Sequence, residues 1–273
     1  MPPTIAVLCF HFGNPKDYLV LPEVLDKLTH SGVQIVSALT LVQHLRAGTP
    51  ALLPAKCCVL TFDDGQDMDF VDVEHPTHGY QASFARILRE ANARAASLGI
   101  AFQAHATSFV IANPLTRAEI QDKEMLGYPW MSDRWWQPAI ESGLFHIASH
   151  SYDHLSASAS RVRQQHNVRN DFLAIDNFDD ADWQIRKARE LIDFIAPNPA
   201  VQKGSALFAY PFGHVSAYLQ AEYFPQQLES HGTIAAFTTE AKLVSADTSA
   251  YAIPRFVFGE SWFESSEIVA LFA

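Results

Sequence analysis

The chain of 273 residues has few cysteines, no long apolar run and a shortage of basic side chains. Two of its three cysteines, Cys57 and Cys58, are adjacent within a predicted strand, which argues against a disulfide framework. No apolar stretch reaches the length of a membrane-spanning helix. Only 19 Lys and Arg oppose 30 Asp and Glu, so we expect neither a nucleic acid nor an anionic membrane as a partner.

The sequence also lacks a visible signal peptide, because an apolar strand is predicted almost at once, at residues 5–10. We therefore expect a cytoplasmic protein, or a periplasmic or extracellular one if a leader had been removed. Hydrophobic residues make up 48% of the chain and charged residues 18%, which is enough apolar material for a large core. Nothing in the sequence indicates an oligomeric state.

Apolar strands alternate with helices along the whole chain, which is typical of a parallel sheet covered by helices. About seven such units in this length predict a single-domain distorted (β/α)7-8 barrel over residues 1–273. Loop insertions are expected at about residues 66–80, 127–138 and 156–182. The predicted strands are residues 5–10, 33–36, 57–62, 102–111, 144–148, 206–210, 233–238 and 252–256.

Two adjacent carboxylates, Asp63 and Asp64, directly follow the apolar strand at residues 57–62, and Gly65 follows them. Two buried like charges resist joint ionisation. A metal ion that neutralises one of them is the simplest compensation. The alternative is that one aspartate caps the next helix while the other is solvated.

His150 and His154 follow another predicted strand and lie four residues apart. If one helical turn followed His150, both imidazoles would lie on one face, close enough to share a metal. All strands of a barrel present their carboxyl ends on the same face, so an aspartate could join them. Two histidines and a carboxylate are typical of catalytic zinc sites and also suit cobalt, nickel or iron. The second aspartate would then be free to act as a general base.

Three segments end in polar residues or in a turn: Thr61-Phe62-Asp63-Asp64-Gly65, His150-Ser151-x-x-His154 and Pro211-Phe212-Gly213. They resemble the first three motifs of the polysaccharide deacetylase family (carbohydrate esterase family 4). The similarity covers most of residues 4–258, and residues 8–11 and 233–256 resemble the branch that includes the poly-N-acetylglucosamine deacetylases. The resemblance implies a distorted (β/α) barrel and metal-dependent hydrolysis of an N-acetyl amide.

The resemblance implies a role for particular residues. Asp63 would be the general base, and Asp64, His150 and His154 would bind one divalent metal ion, with zinc expected. The backbone N–H of Phe212 would help to stabilise the oxyanion.

The sequence departs from the family pattern at two positions. An arginine that orients the base usually lies two residues before the proline of the third motif, but Ala209 stands there. We expect Arg255, near the last strand, to supply the guanidinium to Asp63 instead. The late Leu-x-His motif that carries the general acid is also missing, and His11, at the end of the first strand, is the preferred substitute.

Aromatic and polar residues near the predicted site indicate where a carbohydrate or another small-molecule substrate would bind. Three of the five tryptophans, Trp130, Trp135 and Trp136, fall within seven residues, and sugar rings stack on indoles. The alternative is that these tryptophans cover the core and that the polar loop is solvated. The expected substrate contacts are Trp130, Trp135, Tyr210, Pro211 and Asp67.

Three functions remain open on the sequence. The leading one is a metal-dependent hydrolase that removes N-acetyl groups from an N-acetylated sugar or glycan. The second keeps the metal site but hydrolyses small non-sugar amides. The third is a degenerate, non-catalytic glycan-binding protein, which the missing arginine and late histidine favour and the retention of Asp63 opposes.

Overall fold

The computed structural model describes residues 2–11, 16–198 and 206–273, with residues 16–19 described by their backbone alone. The strands within these ranges are β1 (Thr4–His11), β2 (Gln34–Ile35), β3 (Lys56–Asp63), β4 (Val73–His75), β5 (Gly79–Gln81), β6 (Ala106–Val110), β7 (Phe145–Ser149), β8 (Ala206–Ala209), β9 (Thr233–Phe237) and β10 (Phe256–Val257). The helices are α1 (Lys16–His30), α2 (Ala38–Arg46), α3 (Phe84–Ser97), α4 (Pro114–Glu124), α5 (Trp136–Glu141), α6 (Phe178–Asp182), α7 (Ala188–Ile195), α8 (Phe224–Gln226), α9 (Leu228–His231) and α10 (Ser265–Ala270).

Eight strands form one sheet in which every described pairing is parallel. The order is β10-β1-β3-β6-β7-β8-β9, and β2 pairs with β3. After β9 the chain returns beside that strand, where Ile253 pairs with Phe237, and it then reaches β1 as β10. The sheet therefore curls into a distorted (β/α) barrel, which confirms the predicted fold class.

Alternate side chains of β1 and β3 lie on opposite faces of the sheet. Those on one face pack with side chains of α1 and α3: Ala6, Leu8, Phe10, Cys58, Leu60 and Phe62. Those on the other face pack with side chains of β6, β8 and β9 inside the barrel: Ile5, Val7, Cys57 and Val59. Because side chains alternate with a period of two, His11 and Asp63 belong to the inner face. They are also neighbours in the register of β1 and β3, so both strands deliver a polar group to the same end of the barrel.

Some elements differ from the sequence prediction. The strand predicted at residues 252–256 is reduced to β10, which begins at Phe256. The segment after Ser216 is not one regular helix, because it has a π-type turn at residues 219–223 followed by the short α8 and α9. Pro225 lies within this stretch and supplies no backbone N–H, which interrupts the regular series of helical hydrogen bonds.

The three predicted insertions contain more local structure than their polar composition suggests. The first forms the antiparallel hairpin β4–β5, whose turn is held by His75: its Nδ1 accepts hydrogen bonds from the backbone N–H groups of Thr77 and His78. The second ends in α5, and the third includes α6.

Gly65 occupies a position that only glycine fits. Its φ is +72°, in the left-handed region that disfavours residues with a Cβ. A Cβ built there would lie 2.5 Å from Val110 Cγ1 and 2.9 Å from Val110 Cα. The glycine thus allows the turn after β3 to pass directly against the end of β6.

Replacing Gly65 with alanine is expected to lower the free energy of unfolding by about 3 kcal/mol, because both the backbone conformation and Val110 oppose a Cβ. Gly32 provides a matched control, since its φ is +69° but a Cβ there would meet nothing within 4 Å. Gly32→Ala should cost only about 1 kcal/mol. Denaturant unfolding of both variants measures the difference, and equal losses would show that the contact with Val110 imposes no constraint.

Candidate active site

Asp64, His150 and His154 form a cluster at the carboxyl ends of β3 and β7. One potential ligand atom from each lies within 4.8 Å of the others. The Nε2 atoms of His150 and His154 are 3.8 Å and 3.7 Å from Asp64 Oδ1. Three donors at these separations surround a space of the size that one ion occupies.

A hydrogen bond orients the ring of His150, and another fixes the backbone of His154. His150 Nδ1 lies 2.9 Å from the carbonyl oxygen of Ala209 and therefore carries the proton, so that its Nε2 keeps a free lone pair. The backbone N–H of His154 donates to Ser151 Oγ at 2.8 Å. Burial, and then the neighbouring His150, lower the pKa of His154 well below its ordinary value, which keeps that imidazole neutral and able to ligate.

The helical turn that would place both histidines on one face does not form. Ser151 and His154 have φ values of +73° and +59°, so this segment is an irregular loop. The left-handed residues fold the loop back on itself, and the two imidazole rings lie 4.8 Å apart. The pair is thus assembled by the loop and not by helical periodicity.

Two buried side chains behind this loop fix its shape. Gln184 donates from Nε2 to Asp153 Oδ1, and its Oε1 accepts from the backbone N–H of Tyr152. Asp153 also accepts from the backbone N–H groups of Leu155 and Arg163. The sequence analysis missed this support, although Asp153 lies between the two histidines, because its partner Gln184 is distant in sequence.

Left-handed backbone conformations of non-glycine residues concentrate around the cluster. Such conformations cost roughly 1–2 kcal/mol each and persist where the surrounding structure enforces them, often at functional sites. Five of the eight residues concerned in the described ranges belong to the three motif segments or directly adjoin them. These five are Asp64, Ser151, His154, Leu155 and Phe212.

Asp63 is paired with Arg255 by two parallel hydrogen bonds. The guanidinium nitrogens lie 2.7 Å from Oδ1 and 2.7 Å from Oδ2 of the carboxylate. Arg255 is 0% exposed, and it also donates to the carbonyl oxygen of Thr238 and to Thr61 Oγ1. Arg255, from the last strand region, therefore supplies to Asp63 the guanidinium that Ala209 cannot provide.

The two adjacent aspartates have opposite electrostatic environments. Burial alone would raise the pKa of Asp63, but the charge and the hydrogen bonds of Arg255 outweigh burial and hold that pKa well below its ordinary value. Desolvation raises the pKa of Asp64, and the charge of Asp63 adds to this effect. Asp63 is therefore ionised without further help, whereas Asp64 lacks a compensating cation.

The chemistry of this donor set fits a divalent metal ion. Two neutral imidazole nitrogens and one carboxylate oxygen match a three-ligand catalytic zinc site. A cation would supply the compensation that Asp64 lacks. Asp64, His150 and His154 would hold the ion.

A cavity of about 230 Å³ opens over the cluster and contains several of the predicted residues. His11 lines it from the end of β1, with its Nε2 3.8 Å from Glu260 Oε1. Phe212 lines it as well, with a φ of +59°, and its ring lies 4.4 Å from the ring of His154. Tyr210 forms a buried part of the wall, where its hydroxyl donates to the carbonyl oxygen of Tyr251. Pro211 is buried beside it.

The remaining predicted substrate contacts lie in different places. Trp130 lines a second cavity next to the cluster. Trp135 is 2% exposed and packs against Phe70 and Phe145 in the core, away from both cavities. Asp67 lines neither cavity, and its carboxylate accepts hydrogen bonds from the backbone and hydroxyl of Ser132. Trp135 and Asp67 therefore support the segment that carries Trp130.

A third buried carboxylate near the motif aspartates was missed. Asp69 accepts a hydrogen bond of 2.6 Å from Ser108 Oγ. Burial raises its pKa well above the ordinary value, and although this hydrogen bond lowers it, the charges of Asp64 and Asp63 raise it further. The run of acidic residues after Gly65 contained this residue, but no pattern distinguished it from solvated neighbours.

Breaking the buried ion pair should destabilise the protein strongly. Arg255→Leu leaves the Asp63 charge buried without a partner and should lower the free energy of unfolding by about 3–5 kcal/mol. Asp63→Asn combined with Arg255→Leu should cost much less than the sum of the single variants, because no unpaired charge remains.

A double-mutant cycle measured by denaturant unfolding tests this coupling. The more exposed pair of Arg189 and Asp193 serves as the control and should couple by less than about 1 kcal/mol. Additive effects of the Asp63 and Arg255 substitutions would contradict the expectation.

None of the helices in the described ranges combines the length and the apolar character needed to cross a membrane. The sequence matches no known protein-family model and no curated protein.

The fold, in contrast, is shared with solved deacetylases. A polysaccharide deacetylase from Bacillus cereus, BC0361, is 15% identical at a TM-score of 0.62, over 99% of this chain and 69% of that one. The Streptococcus pyogenes deacetylase PplD, solved in complex with acetate, is 15% identical at a TM-score of 0.62 over 100% of both chains. IcaB from Ammonifex degensii is 19% identical at a TM-score of 0.58, over 99% of this chain and 97% of that one. This chain therefore has the fold of the polysaccharide deacetylases.

Proposed function

We propose that the protein is a metal-dependent deacetylase of the polysaccharide deacetylase family that removes N-acetyl groups from an N-acetylated sugar or glycan. One observation carries the proposal. A buried, ionised carboxylate, Asp63, is held by Arg255 beside a three-donor cluster in an open cavity. A carboxylate next to a metal-binding cluster is an arrangement suited to the hydrolysis of an unreactive amide.

Asp64, His150 and His154 would hold one divalent metal, with zinc the expected occupant. When bound, the metal would supply Lewis-acid polarisation and would make the attacking water more acidic. The hydrogen bond from His150 to the carbonyl of Ala209 fixes which imidazole nitrogen is available for this purpose.

Asp63 would act as the general base. Each of its oxygens accepts one bond from Arg255, which fixes the carboxylate plane and leaves further lone pairs free to accept a proton from the attacking water. Oδ2 of Asp63 lies 3.8 Å from His150 Nε2, so the base and the cluster face the same space. Arg255 would act through Asp63 and thus as a positioning residue.

Phe212 and His11 both line the cavity and would complete the machinery. The backbone N–H of Phe212 makes no hydrogen bond within the described part of the chain, so it is free to stabilise an oxyanion. His11 is partly exposed, with its Nε2 3.8 Å from Glu260 Oε1. It would donate a proton to the leaving amine.

The missing arginine and the missing late histidine were the two features that favoured a degenerate, non-catalytic protein. Arg255 makes the bidentate contact with Asp63 that the missing arginine would make, which weakens that alternative. The activity test below distinguishes the hydrolysis of small non-sugar amides from the deacetylation of N-acetyl sugars.

The purified protein is expected to contain a stoichiometric divalent metal. His150→Ala and His154→Ala should each lose it, because two ligands hold such an ion far more weakly than three. His11→Ala is the control and should retain the metal, since His11 lies outside the donor cluster. Elemental analysis measures the content, and stoichiometric metal that survives in a variant lacking both His150 and His154 would exclude the site.

Acetate release from N-acetylglucosamine oligomers tests the activity. A chelator should abolish it and added metal should restore it. Asp63→Asn should lower kcat by about a hundredfold or more, because the general base is lost, and Arg255→Ala should lower kcat while metal content is preserved.

Unchanged turnover in Arg255→Ala would remove the positioning role. Acetate release from small non-sugar amides but not from N-acetyl sugars would establish the alternative substrate class. Glycan binding without release from any amide would establish the non-catalytic function.

A further inference from the structure

A second cavity, of about 580 Å³, adjoins the donor cluster on the side away from His11. It shares Asp64, His154 and Phe212 with the cavity of about 230 Å³ over the cluster. A substrate that places its N-acetyl group against the cluster would therefore have its neighbouring unit in this larger space, here called the side cavity. Its size is sufficient for a further sugar ring.

Aromatic rings form one wall of the side cavity. The rings of Tyr128 and Trp130 stack at 4.7 Å with an interplanar angle of 13°, and His75 stacks on Trp130 at 5.4 Å. Trp130 is 9% exposed, and its backbone carbonyl accepts from the N–H of Asp67. The wall is thus fixed before any ligand binds, and it presents to a pyranose ring the exposed face of Tyr128, which lies on Trp130.

The charged groups that line this cavity favour a positive ligand. Glu124, at the end of α4, is on its rim, and no lysine or arginine is among the lining residues in the described ranges. Burial, and then the neighbouring His78, lower the pKa of His75, so that ring adds no positive charge near neutral pH. A carboxylate without a competing basic residue in the lining attracts an ammonium group and repels an anion.

Glu124 is held in place by the neighbouring loop. Ser158 donates from its hydroxyl to Glu124 Oε1, and Lys123 Nζ donates to the carbonyl oxygen of Ser158. The backbone N–H of Ser160 donates to Glu119, one turn earlier on α4. These bonds leave Glu124 Oε2 available to a ligand.

We propose that the side cavity binds a neighbouring sugar that carries a free amine, stacked on Tyr128 with its ammonium group near Glu124. The inference rests on the proposed deacetylase function and specifies its substrate as a partly deacetylated amino-sugar oligomer. The unit bound there has the same chemistry as the product of the reaction. An already deacetylated unit would therefore promote reaction at the next N-acetyl group.

The test compares two disaccharides of glucosamine whose reacting unit is N-acetylated. The other unit carries a free amine in one and an N-acetyl group in the other, and both orders of the units are assayed. The wild-type protein should show a kcat/KM about fivefold higher for the free-amine neighbour, which is the effect expected of one solvent-accessible ion pair.

Glu124→Gln should abolish this preference by lowering kcat/KM for the free-amine disaccharide to the value of the fully N-acetylated one. Tyr128→Ala should raise KM for both disaccharides about tenfold with a smaller effect on kcat, because stacking is lost for both. Glu119→Gln is the matched control on the same helix, and it should leave both values unchanged because Glu119 does not line the cavity.

Equal kcat/KM values for the two disaccharides, or a preference that survives in Glu124→Gln, would overturn the inference. Higher activity with an acidic neighbouring sugar would overturn it as well. If no N-acetyl sugar releases acetate, the proposed deacetylase function is wrong. Titration calorimetry with the glucosamine disaccharide then tests binding in the side cavity on its own. Binding that weakens about fivefold in Glu124→Gln supports the side cavity, and equal affinity in both proteins excludes it.

Discussion

The buried pair of Asp63 and Arg255 is the interaction on which the site depends. It connects the end of β3 to the segment that closes the barrel between β9 and β10, and Arg255 is anchored further by the carbonyl of Thr238. Neither charge is tolerable inside the barrel alone, since an unpaired buried charge costs several kcal/mol. Closure of the sheet and ionisation of the base are therefore consequences of the same contact.

This contact also explains how two neighbouring carboxylates can differ in role. Asp63 ends a regular strand and, by the alternation of side chains, faces the barrel interior. Asp64 would face outward if the strand continued, but its φ of +72° brings its carboxylate back toward the two histidines. Gly65 allows this turn by passing against Val110. The strain at Asp64 is thus what brings both groups to one cavity.

Much of this arrangement could be predicted from the sequence, and the failures have physical causes. The strands and their convergence follow from apolar runs that end in polar residues, and Arg255 follows from the need for a cation near Asp63. The helical turn predicted at His150 failed because spacing alone cannot reveal left-handed residues or a support as distant as Gln184. Trp135 could not be separated from Trp130, because composition does not tell which face of an irregular segment is buried.

The absence of an arginine at Ala209 follows from the same packing. Ala209 belongs to the inner-face cluster of the barrel, and its carbonyl oxygen already orients His150. Arg255 fills the interior near Phe109, with its guanidinium 5.5 Å from that ring and no exposed surface. A second arginine from β8 would have to share this volume and would place two like charges on one carboxylate. The small residue at position 209 is therefore the complement of Arg255: the backbone of β8 orients the histidine, and the segment just before β10 supplies the side chain that holds the base.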